Sequence, residues 1–163
     1  VIKKLKYMGF NVKVWGRTKR KIKNIDYYYG LESLEKCITD ASCLISILPN
    51  TNKTFNLIGL KHFKLLNNES YFINIGRGSS VNESDLIFSL TNSILDGAIL
   101  DVFQNEPLDR DNKLWSLNNV FLTPHIAGIT NPTINAATTL RKSFELLNLK
   151  RSIKNKVSNF NGY

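Results

Sequence analysis

Short apolar runs alternate with segments of helical spacing along this chain. Val1, Leu5 and Met8 fall at the i, i+4 and i+7 positions of one helix face, and Gly9 follows them as a helix stop. This spacing predicts that the chain opens within a helix. Three further segments have helical spacing, and they span residues 31–41, 58–66 and 82–93.

The apolar runs between these helices predict strands. Because the runs are nearly continuous rather than alternating, they are typical of a parallel sheet that is covered on both faces. Strands and helices in alternation predict an α/β fold, a Rossmann-like doubly wound parallel sheet. The runs are NVKVW (11–15), CLISIL (43–48), YFINI (71–75), GAILDVF (97–103) and NVFLTP (119–124).

Capping residues mark two of the predicted helices. Asn82 and Asp85 resemble a capping pair at the start of the helix over 82–93. Near the end of the chain, Asn131 is placed as an N-cap with Pro132 at the first helical position. This last helix is predicted to run to about Lys150 and to be followed by an extended tail, and its apolar face comprises Ile134, Ala137, Leu140, Phe144 and Leu147.

Composition narrows the class of protein. The 163 residues are 42% hydrophobic and contain no apolar run near the ~18 residues of a membrane helix, which indicates a soluble domain. The net charge of +9 comes from scattered lysines, with one dense segment at 17–23, so a solvated surface is favoured over a nucleic-acid partner. Cys37 and Cys43 form neither a disulfide framework nor a zinc site, and no signal peptide is evident, so we expect a cytoplasmic protein.

Polar residues follow four of the predicted strands. In an open α/β sheet, ligands bind beyond the carboxyl ends of the strands, and adjacent strand ends lie ~5 to 10 Å apart. Taken singly, each feature fits a surface turn or a structural histidine. Together, Arg77, Glu106 and His125 predict one site. The strand-end residues are Pro49, Asn50 and Thr51; Gly76, Arg77 and Gly78; Asp101, Glu106 and Pro107; and Pro124 and His125.

The order of LPNT, INIGRGSSVNESDL, LDVFQNEPL and LTPHIAG resembles the D-isomer-specific 2-hydroxyacid dehydrogenases, and most closely the bacterial glyoxylate/hydroxypyruvate reductase A branch. The resemblance implies that Arg77, Glu106 and His125 are the catalytic residues. The planar guanidinium of Arg77 suits the carboxylate of a small 2-oxo acid. His125 would then donate a proton to the carbonyl oxygen, and Glu106 would favour the imidazolium form.

The cofactor is indicated by the end of the first apolar run. NAD-preferring Rossmann domains have an acidic residue there, whereas this chain has Arg17, Thr18 and Arg20. Cationic and hydroxyl donors favour the 2′-phosphate of NADPH, although NADH stays possible and the segment would also fit a merely basic loop. The resemblance places the remaining cofactor-binding residues at Pro49, Asn50, Thr54, Gly76, Asp101 and Gly128, whereas His62 is interpreted as a surface residue.

The resemblance also implies a domain organisation and an activity. Residues 1–129 would form an NAD(P)-binding domain that lacks its first strand and glycine-rich loop, and residues 130–163 would return toward an absent substrate domain. The expected activity is NADPH-dependent reduction of glyoxylate to glycolate and of hydroxypyruvate to D-glycerate, in a homodimer. The alternatives are another D-2-hydroxyacid dehydrogenase, a non-enzymatic dinucleotide-sensing scaffold, or an inactive fragment.

Overall fold

Parallel strands form the frame of the protein. The computed structural model describes residues 1–128, so the predicted helix from Asn131 and the tail lie outside the described residues. The helices are α1 (Ile2–Tyr7), α2 (Leu34–Ile38), α3 (Leu60–Phe63) and α4 (Glu83–Thr91). The strands are β1 (Lys13–Gly16), β2 (Asp26–Tyr29), β3 (Cys43–Ser46), β4 (Tyr71–Asn74), β5 (Gly97–Leu100) and β6 (Val120–Leu122).

All strand pairs among the described residues are parallel. β3, β4, β5 and β6 form a four-stranded sheet in sequence order, and β1 pairs with β2 in a two-stranded sheet. Each of the predicted apolar runs overlaps one of these strands. The predicted α/β architecture with a parallel, Rossmann-like sheet is therefore confirmed.

The strand β2 was not among the predicted elements. Its sequence is Asp-Tyr-Tyr-Tyr, without the aliphatic residues that mark the other strands, and it pairs with β1 from Lys13↔Asp26 to Gly16↔Tyr29. Tyr27 and Tyr28 are half-buried, so the aromatic rings supply the apolar surface in this strand. Because tyrosine favours strands, the run of three tyrosines was the available signal.

The four-stranded sheet is buried unequally on its two faces. Phe72 and Leu100 point into the core, where Phe72 packs edge-on against Phe63 with ring centroids 5.3 Å apart. On the opposite face, Ile99 is 42% exposed and Phe121 is 64% exposed. The expectation that both faces are covered therefore holds for only one face of the described sheet.

The helix α4 begins at the predicted cap. The Asn82 side chain accepts a hydrogen bond from the Asp85 backbone N–H at 3.1 Å, as expected for an N-cap. The Asp85 carboxylate does not complete a reciprocal pair with Asn82. It accepts a hydrogen bond from the Leu60 N–H at 2.9 Å and thereby joins the starts of α3 and α4.

The interpretation of His62 as a surface residue is wrong. His62 is 3% exposed, and its Nδ1 accepts a hydrogen bond from the Gly59 N–H at 3.2 Å, so the ring caps the start of α3. Its position on a helix between Lys61 and Phe63 suggested an exposed side chain, but the ring is turned inward to satisfy a backbone donor. Burial, and then the neighbouring Lys61 charge, lower the pKa of His62 below its ordinary value of 6.5.

This buried cap predicts a loss of stability in acid. A lowered pKa in the folded state means that the stabilisation is complete above about pH 6.5 and is lost as the pH falls, because the unfolded chain binds the proton more readily. The matched variant is His62→Gln, since a glutamine at this position can accept the same N–H without titrating. The free energy of unfolding is measured in urea at pH 7.5 and at pH 5.5, both on the order of one unit from that value. We expect it to decrease less in the variant than in the wild type as the pH falls. Equal decreases in the two proteins would contradict the role of His62 as a buried, neutral cap.

Candidate active site

The carboxyl ends of β4, β5 and β6 lie side by side. The parallel register aligns Asn74 with Leu100, and Leu100 with Leu122, so the loops that follow these strands leave the same edge of the sheet. Arg77 lies in the first of these loops, and Glu106 and His125 lie in the second and third. The structure therefore places at one edge of the sheet the loops of the three residues that the sequence predicted as one site.

The loop after β4 is fixed by buried polar side chains. Asn74 is 2% exposed; its Oδ1 accepts a hydrogen bond from the Gly76 N–H at 3.1 Å, and its Nδ2 donates to the Arg77 carbonyl at 3.2 Å. The Ser80 hydroxyl donates to the same carbonyl at 2.7 Å. The backbone of Arg77 is thus held from two sides while its side chain is exposed. Sequence reasoning missed Asn74 and Ser80, although a polar residue inside an apolar strand was the signal for Asn74.

Gly78 allows the loops after β4 and β5 to touch backbone to backbone. A Cβ atom at this position would lie 1.9 Å from the carbonyl carbon and oxygen of Phe103. The N–H of Phe103 in turn donates to Glu106 Oε1 at 3.0 Å. The close approach at Gly78 therefore sets the spacing between the loop of Arg77 and the loop of Glu106.

Glu106 and His125 form a direct hydrogen-bonded pair. Glu106 Oε2 lies 2.7 Å from His125 Nδ1, and the two side chains are 36% and 43% exposed. Since an ionised carboxylate only accepts hydrogen bonds, Nδ1 carries the proton of this contact, and Nε2 is the ring nitrogen left to face a ligand.

The charges around Glu106 keep it ionised. Partial burial acts to raise the pKa of Glu106, but hydrogen bonds from His125 and the Phe103 N–H, together with the charges of His125 and Arg77, outweigh it. The net pKa of Glu106 is therefore lowered. The charge of Arg77 is the smallest of these effects on the pKa of Glu106.

Asp101 lies beneath the turn that contains His125. Asp101 is 2% exposed, and its carboxylate accepts hydrogen bonds from the Thr123 hydroxyl at 2.5 Å, the Ile126 N–H at 2.8 Å and the Ala127 N–H at 2.8 Å. Burial acts to raise the pKa of Asp101, but these hydrogen bonds and the His125 charge give a net lowering. Sequence reasoning selected Asp101 but did not find Thr123 or these contacts.

The loop after β3 contains the predicted residues Pro49, Asn50 and Thr54. The Thr54 hydroxyl donates to the Pro49 carbonyl at 2.6 Å and accepts from the Thr51 N–H at 3.0 Å, which braces the loop internally. A Cβ atom on Gly76 would lie 2.6 Å from the Leu48 backbone nitrogen, so this loop packs closely against the loop of Arg77. These residues and Gly76 thus share one edge of the sheet with Glu106 and His125.

The predicted residues Arg17, Thr18 and Arg20 follow β1 in the two-stranded sheet. All three are exposed, and the Thr18 carbonyl accepts a hydrogen bond from the Tyr27 hydroxyl at 2.8 Å. Gly128 is the last described residue, and no atom of the described part of the chain lies within 4 Å of the position that its Cβ would occupy. Residues 1–128 contain no cluster of His, Cys, Asp and Glu that could bind a metal ion, and none of the helices in this range is long and apolar enough to cross a membrane.

A family model and curated proteins resemble this chain. Residues 1–127 match the model described as D-isomer specific 2-hydroxyacid dehydrogenase, NAD binding domain. The chain is 34% identical over 163 residues to glyoxylate/hydroxypyruvate reductase A of Escherichia fergusonii, and the match covers 100% of this chain and 52% of that protein. The protein of the same name from Salmonella choleraesuis is 36% identical over 132 residues, which are 81% of this chain and 42% of that protein. The chain thus spans about half the length of the curated relatives it matches.

Solved structures resemble the chain as well. A D-isomer specific 2-hydroxyacid dehydrogenase from Xanthobacter autotrophicus Py2, in complex with NADPH and MES, has a TM-score of 0.91 at 32% identity and covers 99% of this chain and 66% of its own. An NADPH-dependent glyoxylate/hydroxypyruvate reductase from Sinorhizobium meliloti, in complex with NADP and sulfate, has a TM-score of 0.89 at 30% identity. The latter match covers 99% of this chain and 52% of that chain.

The packing at Gly78 predicts a strong effect of a single methyl group. Gly78→Ala would force the Arg77 loop away from the Phe103 backbone, which cannot move without displacing Glu106. Overpacking of this kind costs roughly 1–3 kcal/mol of unfolding free energy. Gly128→Ala is the control, because its Cβ would meet no atom of residues 1–128 within 4 Å. Urea unfolding should separate the two variants, and equal stabilities would contradict the close approach.

Proposed function

The chain belongs to the D-isomer-specific 2-hydroxyacid dehydrogenase family, whose NAD-binding domain it matches, and we propose that the whole protein reduces small 2-oxo acids with NADPH. The proposed substrates are glyoxylate, reduced to glycolate, and hydroxypyruvate, reduced to D-glycerate. The observation that carries the proposal is the 2.7 Å contact between Glu106 and His125, at the sheet edge shared with Arg77. The names of the relatives support the choice of substrates.

Arg77 is the proposed substrate-binding residue. A 2-oxo acid has a carboxylate next to its carbonyl group, and a planar guanidinium can bind that carboxylate through two parallel N–H donors. Arg77 is exposed on a loop whose backbone is braced by Asn74 and Ser80. The guanidinium can therefore fix the position of the acid and polarise the neighbouring carbonyl.

His125 is the proposed proton donor. A reduced nicotinamide, when bound, supplies the hydride that adds to the carbonyl carbon. His125 then donates a proton from Nε2 to the carbonyl oxygen, while Nδ1 keeps its hydrogen bond to Glu106. Hydrogen bonds from His125 and the Phe103 N–H keep Glu106 ionised, so the carboxylate holds a negative charge beside the ring.

The residues after β1 suit a phosphorylated ribose. The segment from Gly16 to Lys23 contains no carboxylate, and Arg17, Lys19 and Arg20 are cationic and exposed. A ribose 2′-hydroxyl is usually bound by an acidic residue at this point of a Rossmann domain, whereas a 2′-phosphate is bound by arginine. The donor set therefore fits NADPH better than NADH, and Pro49, Asn50, Thr54, Gly76 and Gly128 are the further residues that we propose along the cofactor.

The proposal also covers the location, the oligomeric state and the domain organisation of the whole protein. We propose a cytoplasmic homodimer in which residues 1–129 bind the cofactor and residues 130–163 return toward a substrate domain. The relatives named as reductases are about twice as long as this chain, which is consistent with such a second domain. Sedimentation of the whole protein would test the dimer.

The assignment of His125 as the proton donor predicts two different kinetic defects in the whole protein. His125→Asn should lower kcat by about 10²–10⁴-fold because it removes the proton donor. Glu106→Gln keeps the shape but removes the negative charge, so the fall of kcat/KM at high pH should begin at a lower pH than in the wild type. Steady-state reduction of glyoxylate between pH 5 and pH 9, spanning roughly the range in which histidine titrates, measures both effects. An unchanged profile for Glu106→Gln would remove Glu106 from this role.

The assignment of NADPH as the cofactor predicts that loss of one cationic side chain lowers kcat/KM for NADPH more than kcat/KM for NADH. Arg20→Ala should lower kcat/KM for NADPH by about tenfold, the loss of a charge-assisted hydrogen bond of roughly 1.5 kcal/mol, with little effect on NADH. Lys23→Ala is the control because it removes the same charge from the same exposed segment, farther from β1. A wild type that prefers NADH, or equal losses in both variants, would contradict the NADPH assignment.

A further inference from the structure

We infer that Asp101 is a positioning residue whose buried carboxylate fixes the turn that presents His125. The inference rests on the proposed function, in which His125 is the proton donor, and it gives Asp101 a role different from the cofactor contact that the family resemblance implies. It is based on hydrogen bonds that converge on one side chain from both sides of the histidine.

The three donors to Asp101 surround His125 in the sequence. Thr123 donates its hydroxyl to Oδ1 from the residue before Pro124, and the Ile126 N–H donates to the same oxygen from the residue after the histidine. The Ala127 N–H donates to Oδ2. One carboxylate therefore binds the chain at positions two before, one after and two after the histidine.

This part of the chain has little regular structure to hold it. The last hydrogen bond between β5 and the chain after β6 joins the Thr123 N–H to the Leu100 carbonyl at 3.0 Å, and Pro124 has no N–H to continue the ladder. His125 then has a φ of 55°, in the left-handed region that residues other than glycine adopt infrequently, although histidine does so more often than most. Within the turn, the His125 N–H donates to the Thr123 carbonyl at 3.0 Å. The hydrogen bonds that tie the turn to the rest of the sheet edge from below are those to Asp101.

Two carboxylates thus act on His125 in different ways. Glu106 bonds to the ring at Nδ1 and sets its orientation. Asp101 instead bonds to the Thr123 hydroxyl before the histidine and to two backbone N–H groups after it, and so sets the position of the backbone from which the ring extends. Asp101 is buried beneath the turn, and Glu106 is partly exposed beside it. The rotation and the position of the ring are therefore controlled by separate residues.

Replacement of Asp101 by asparagine tests the inference in the whole protein. An asparagine has nearly the same shape, but its NH₂ group must face at least one of the three donors, so the turn has to shift. We expect kcat to fall by about 100-fold, as for a reacting group displaced by about 1 Å, while the Kd for NADPH stays within about twofold. An increased Kd for NADPH with an unchanged kcat at saturating cofactor would overturn the inference and leave Asp101 as a cofactor contact.

Thr123 supplies a matched pair of variants. Thr123→Val keeps the shape and removes the hydroxyl donor, and Thr123→Ser keeps the donor. We expect the valine variant to lose about tenfold in kcat and the serine variant to stay within about twofold of the wild type. A valine variant with wild-type kcat would contradict the inference, and this pair stays informative if Asp101→Asn does not fold.

Amide hydrogen exchange separates this inference from the proposed function. The N–H groups of Ile126 and Ala127 should exchange faster in Asp101→Asn than in the wild type, whether or not the protein reduces 2-oxo acids. A wild type that is inactive on glyoxylate and hydroxypyruvate, with this faster exchange in the variant, would refute the proposed substrates but support the positioning of the turn. Unchanged exchange in the variant would refute the positioning itself.

Discussion

The parallel register of β4, β5 and β6 is the constraint on which the candidate site depends. It aligns Asn74, Leu100 and Leu122 at one edge of the sheet, so that three loops emerge next to one another. A slip by one residue would turn Asn74 from the core to the opposite face and bury Ile99 in place of Leu100. The core specifies the register, and the register in turn decides which loops can meet.

Once the loops are adjacent, buried polar groups and exposed charged groups have different tasks. Asn74 and Asp101, each 2% exposed, are bonded to loop backbone, whereas Arg77, Glu106 and His125 extend from those loops into solvent. A buried polar group must be satisfied, so each of these side chains is stable only with its loop in place. Because Asn74 and Asp101 must keep these hydrogen bonds when buried, they hold the loops in place. The charged groups on those loops have defined positions for the same reason.

The sequence predicted the frame better than it predicted the contacts. Apolar runs located five of the six strands, because burial requires them, but β2 is built on tyrosines and lacks that signal. Arg77, Glu106 and His125 could be grouped because parallel strands end at a common edge. The cap made by His62 and the bonds made by Asp101 depend on where a side chain turns after the chain has folded, which spacing along the sequence does not encode.

The charges of the site link binding to protonation under the proposed function. Glu106 and Asp101 are both anionic, because their pKa values are lowered, and Arg77 alone does not balance them. A 2-oxo acid brings a third negative charge to this edge of the sheet. Protonated His125 offsets that charge, so binding of the acid favours the imidazolium, and the imidazolium favours binding of the acid, by the same free energy. The substrate therefore selects the form of His125 that can donate a proton to its carbonyl group, and that oxygen becomes the neutral hydroxyl of the product.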